Sequence, residues 1–119
     1  MSVQFEATNV VLKYVAATAP RNSPQWMLVD RGILRVEVYA IGPCLCFYTR
    51  DGRPLVSIPF SYLDRVQEKI VHNQSGTIYK GKTTLHLKGK LEGRTEQERY
   101  IILMSVGDHV NLHSHINGV

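Results

Sequence analysis

Apolar and polar side chains alternate through the middle of this chain. Leu34, Val36 and Val38 fall on one side of an extended backbone, with Arg35 and Glu37 on the other. That two-residue period predicts a half-buried β-strand. The run 26–66 carries the pattern through three successive segments, WMLVDRGILRVEVYA, CLCFYTRDGRPLVSIPF and SYLDRV. Ile41-Gly42-Pro43 predicts the first turn between them. Arg50-Asp51-Gly52-Arg53 predicts the second, and its Asp-Gly pair suits a type I′ hairpin. Pro59 has no N–H for a ladder, so Leu55–Phe60 is expected at a sheet edge or a bulge.

The flanking segments extend this β-rich reading. Val3–Val15 is rich in apolar and β-branched residues and reads as a strand with a break near Thr8–Asn9. A breaker-rich loop, AATAPRNSPQ, follows it, and the next strand is expected to be interrupted at Asp30–Gly32. Ser61–His72 reads two ways. Leu63, Val66 and Ile70 sit at helical spacing, yet a short helical turn running into a strand fits as well. In Thr83–Lys88, Leu85 and Leu87 oppose Thr84, His86 and Lys88. Tyr100–Val106 is apolar on both faces and predicts a strand covered on each side. The tail reads as a short helix capped by Asp108, with Val110, His113 and Ile116 on one face.

At 119 residues the chain has the size of one domain, a size that also suits a domain excised from a longer protein. The apolar fraction of 44% and charged fraction of 20% are ordinary for a folded domain. No apolar run approaches the ~20 residues that a membrane helix needs. The start, MSVQFEATNVV, lacks the basic and apolar regions of a signal peptide. Cys44 and Cys46 lie side by side on one strand face, a poor start for a disulfide, which suits a reducing intracellular compartment, nucleus or cytoplasm. The net charge of +4 is local: Lys80, Lys82, Lys88 and Lys90 share a window with no acidic residue, and the remaining ten Lys/Arg balance ten Asp/Glu.

These segments resemble a pleckstrin-homology-like (PH-like) domain: seven strand candidates and a possible terminal helix. LVSIPFSYLDRV, with Ile58, Pro59, Leu63 and Val66, is similar to a passage of GRAM and related PH-like domains. TLHLKG and RYIILMSV look like the late strands of that fold. The resemblance implies a mainly β chain, a single domain over 1–119. Its form would be a seven-stranded antiparallel barrel or sandwich whose C-terminal helix plugs one open end. Another small β-sandwich is the alternative. More narrowly, VVLKY, Trp26, LRVEV, CLCFYTRDGRPL and SIPFSYL are similar to the N-terminal PH-like domain of accessory proteins that promote meiotic double-strand breaks. That resemblance implies a non-catalytic module for protein assembly on chromosomes, in the nucleus.

The residues themselves offer little catalytic chemistry. Cys44 and Cys46 lie in an apolar run, where a thiol is more often an inert small hydrophobe. GKTT at 81–84 ends like a P-loop, but Thr77 stands where its first glycine belongs. His109 and His113, spaced i, i+4, are the best metal-ligating pair, with His115 off their face. No carboxylate or cysteine near them in sequence completes a ligand set, so no metal or cofactor is expected. The expected role is therefore docking of another protein's peptide or helix segment. Trp26, Arg50, Arg53 and Pro59 are the interface candidates. The alternative is an anionic ligand, a phospholipid headgroup or nucleic acid, bound by the stripe Lys80, Lys82, Lys88 and Lys90. The bland reading of that stripe is a solvated strand protected from edge pairing.

Overall fold

A computed structural model describes residues 1–15, 27–72, 79–88 and 99–117. Its strands are β1 (Ser2–Val15), β2 (Met27–Tyr39), β3 (Gly42–Thr49), β4 (Pro54–Pro59), β5 (Leu63–His72), β6 (Tyr79–Leu87) and β7 (Arg99–Met104). A 3₁₀ turn, Phe60–Tyr62, precedes β5, and helix α1 (Val106–Asn117) follows β7. The strands form one antiparallel sheet in the order β4-β3-β2-β1-β7-β6-β5. The mainly β reading with a short C-terminal helix therefore stands.

Strand β1 joins the two halves of the sheet. It pairs with β2 from Ser2 to Tyr14 and with β7 from Val11 to Val15. The expected break near Thr8–Asn9 is a bulge within one continuous strand: the register shifts between Ala7 and Val10, and Asn9 has a φ of 56°. Asn tolerates this left-handed conformation better than most residues. The extra residue changes which positions face inward. Phe5 and Ala7 are buried before it, Val10 and Leu12 after it.

Three local expectations need correction. Strand β2 is not interrupted at Asp30–Gly32. Gly32 lies within it because a Cβ there would sit 2.0 Å from the Tyr48 carbonyl oxygen on β3. The Asp-Gly hairpin is not type I′, since Gly52 (φ 91°) has positive φ and Asp51 does not. The Gly52 N–H donates to the Thr49 carbonyl (3.0 Å) and the Thr49 N–H to the Arg53 carbonyl (2.8 Å), closing a three-residue loop with a glycine bulge. At the C-terminus the cap is Ser105, not Asp108: Ser105 Oγ accepts from the Asp108 N–H at 3.3 Å. Asp108 instead sits in the first turn, where its charge suits the helix dipole.

Helix spacing in Ser61–His72 gives way to pairing. β5 bonds along β6 from Leu63 opposite Leu87 to His72 opposite Tyr79. Leu63 and Val66 still reach the core, while Ile70 is left exposed. The core lies on one side of the sheet. Leu34, Val36, Leu45, Phe47 and Ile58 from β2–β4 share it with Leu85, Ile102 and Met104 from β6–β7 and Leu112 from α1. Burying a side chain such as Phe47 contributes about 1.5–3 kcal/mol. The inward face of α1 is His109, Leu112 and His113 with Ile116 beside them, whereas Val110 is 60% exposed. Of the expected face, His113 and Ile116 do turn inward and only Val110 does not. Among the described residues no helix is long and apolar enough to cross a membrane.

Candidate functional site

Opposite this core, the outer face of β5–β6–β7 is built by strand alternation. Across it, Arg65, His86 and Arg99 form one cross-strand row, Gln67, Thr84 and Ile101 the next, and Lys69, Lys82 and Leu103 a third. Lys80 extends β6 beyond them, and Lys13 of β1 lies opposite Ile101. Residues directly opposite one another share a face. Among the described residues this side is rich in positive charge; His86 and Ile101 in its middle are buried, and Leu103 is partly buried. Lys69 and Lys82 are direct neighbours across the strand pair, and among the described residues no ion pair reaches Lys69, Lys80 or Lys82. The field is felt by His86. Burial lowers its pKa below the ordinary histidine value, and Arg65 and Arg99 lower it further against a smaller opposing effect of Asp64. His86 Nε2 is satisfied by Gln67 Oε1 at 2.9 Å.

The lysine stripe is thus one row of a wider face. Lys80 and Lys82 are on it, and Lys88 follows at the end of β6, its N–H bonded to the Tyr62 carbonyl at 2.9 Å. Lys90 lies outside the described residues, as does Trp26. Lys69, Arg65, Arg99 and Lys13 were not legible as partners of the stripe, because they reach it only through pairing with distant strands. The one available signal was alternation in DRVQEKIVH, which the helical spacing of Leu63, Val66 and Ile70 masked.

On the outer face of β2–β3–β4 the polar groups are paired with one another. Glu37 is 1% exposed. It accepts hydrogen bonds from the Tyr39 hydroxyl (2.8 Å) and from the Tyr48 hydroxyl. Burial pushes its pKa up, but the two phenol donors outweigh it and the net shift is downward. Glu6 binds Arg35 Nε at 2.7 Å, and the Arg35 guanidinium lies 5.1 Å from the centre of the Tyr48 ring. Cys44 and Cys46 are free and buried here. Burial raises the Cys46 thiol to about 11, so it is a poor nucleophile at neutral pH. Arg50 and Arg53 lie at the β3–β4 loop, joining strands at the other end of the sheet order from β5 and β6. Arg53 pairs with Asp51 at 3.2 Å, both largely exposed. Pro59 ends β4, the edge strand at the other end of the sheet from β5.

A third cluster lies under α1. His109 and His113 contact Glu68 of β5 on one side and Thr83 of β6 on the other. Gly81 lets the helix come this close, since a Cβ there would fall 2.1 Å from His109 Cβ. Burial lowers the pKa of His113, with Glu68 opposing and His109 adding to the shift. The carboxylate that contacts both histidines is thus supplied by the sheet, not by their sequence neighbour Asp108.

No family model matches the sequence, and no curated protein matches it. Among solved structures, a chain of the 8S snRNP assembly intermediate has a similar fold. The TM-score is 0.60, covering 98% of this chain and 80% of that one at 14% sequence identity. At such identity the likeness is one of fold.

Proposed function

We propose that this chain is a PH-like domain acting as a non-catalytic interaction module, and that its basic β5–β6–β7 face receives an acidic segment of a partner protein. The carrying observation is the direct opposition of Lys69 and Lys82, flanked by Lys80, Arg65 and Arg99. Like charges placed opposite each other cost stability, and a bound anion offsets that cost. Leu103, only partly buried, gives the same face an apolar component suited to an acidic segment with hydrophobic residues. The PH-like assignment is supported by the shared strand β1 and by the terminal helix over the core. The non-catalytic assignment is supported by the raised thiol of Cys46 and by Glu37 being engaged by two tyrosines. Under the narrower resemblance, the partner belongs to a meiotic recombination assembly in the nucleus.

A second reading has the same face bind phosphate groups of nucleic acid or phospholipid headgroups, and the paired ammonium groups of Lys69 and Lys82 favour it. The readings separate by titrating the chain with a glutamate-rich peptide, heparin and anionic vesicles. Binding of the peptide, abolished by Lys69→Glu with Lys82→Glu, supports the acidic-segment reading. Retention on heparin or vesicles without peptide binding supports the phosphate reading. Binding that survives both charge reversals contradicts the two together.

A further inference from the structure

We propose that Glu68, His109 and His113 form a binding site for one divalent transition-metal ion of the zinc class, which clamps α1 onto β5. Each residue offers one donor atom, and the three atoms lie within 4.8 Å of one another. Glu68 Oε2 is 3.4 Å from His109 Nε2 and 3.4 Å from His113 Nδ1. Donors about 2.1 Å from a tetrahedral ion are about 3.4 Å apart, so two of the three edges already have that length. Two imidazole nitrogens and one carboxylate oxygen suit zinc and its neighbours, whereas calcium and magnesium prefer oxygen alone.

The opposite sides of the two rings strengthen the assignment. Thr83 Oγ1 lies 3.3 Å from His109 Nδ1 and 2.8 Å from His113 Nε2, the nitrogens that do not face Glu68. When a neutral imidazole binds a metal through one nitrogen, the other carries an N–H. One hydroxyl oxygen can accept from both rings. Without an ion the count is awkward. Neutral rings that donate to Glu68 turn two acceptor nitrogens toward Thr83, whose hydroxyl has a single hydrogen. Either an added proton or a metal ion completes the set.

The site is also held in place and open on one side. His109 and His113 are 2% and 6% exposed, and α1 is pinned against Gly81. The Glu68 side chain is 55% exposed, which gives the ion a route in and leaves room for water as a further ligand. Two ligands come from the last helix and one from an edge strand, so the ion would join elements distant in sequence.

The test is calorimetric titration of the tag-free chain with Zn²⁺, together with thermal unfolding. The expected result is one ion bound per chain and a Tm that rises with Zn²⁺ concentration. Glu68→Gln, at an exposed position with little effect on folding, removes the carboxylate. Thr83→Val removes the hydroxyl without changing its volume. The Thr83 variant should bind about 10–100-fold more weakly, and the Glu68 variant at least as weakly. With Co²⁺ in place of Zn²⁺, visible absorption should appear in the wild type and fade in the Glu68 variant. Absence of stoichiometric binding, or binding unchanged by Glu68→Gln, overturns the proposal.

Discussion

The outer faces of the two half-sheets solve the same problem in opposite ways. Each strand pattern puts polar side chains on the side away from the core. On β2–β4 those side chains are satisfied locally: Glu6 holds Arg35, Arg35 covers Tyr48, and Tyr48 and Tyr39 hold Glu37. On β5–β7 lysine stands opposite lysine, and the nearby Glu68 points to the other side, toward α1. The first face is closed electrostatically and stabilises the fold. Among the described residues the second sets Lys69 against Lys82 with no ion pair to either, at some cost to stability, and an anionic partner would balance that charge.

The comparison can be broken at its strongest point first. Replacing Glu37 with Ala leaves two phenol hydroxyls without their acceptor. The expected loss is about 1–3 kcal/mol in urea denaturation, with anion binding unchanged. On the other face, Lys69→Thr should do the reverse. It relieves the opposition to Lys82, raising stability by about 0.2–1 kcal/mol, and it weakens binding of an acidic peptide. A destabilised Lys69→Thr chain would remove the asymmetry on which the functional reading rests.

Acid offers a smaller but signed effect. The depressed pKa of His86 means that below 6.5 the unfolded chain takes up a proton more readily than the folded one. Its contribution to stability is present above that value and is lost as pH falls. The urea midpoint followed against pH should therefore decline on the acid side, and His86→Gln should flatten that part of the decline. The smallest effect is expected at Arg53. Its exposed pair with Asp51 predicts a change within about 0.5 kcal/mol for Arg53→Ala, and no change in binding if the basic face is the working surface.

How much could be read in advance followed the range of the interactions. The alternation at Leu34–Val38 and the position of the Asp-Gly hairpin are local signals, and both elements are where they were expected. The hairpin type depends on the φ of Asp51, which the Asp-Gly pair alone does not determine. Helical spacing in Leu63, Val66 and Ile70 competed with a strand that only pairing along β6 stabilises. That one ambiguity hid both Lys69 and Glu68. The lysines of β6 and the i, i+4 histidines of α1 were legible singly. Their companions arrive from other strands, through registers that no local pattern encodes.

The most direct measurement is an NMR titration of the ¹⁵N-labelled chain with a glutamate-rich peptide containing aliphatic residues. The account predicts that shift changes concentrate at Lys69, Lys80, Lys82 and Thr84 and diminish as salt is raised. Changes concentrated instead at Tyr39, Tyr48 and Ser57, or along the β4 edge near Pro59, would contradict it.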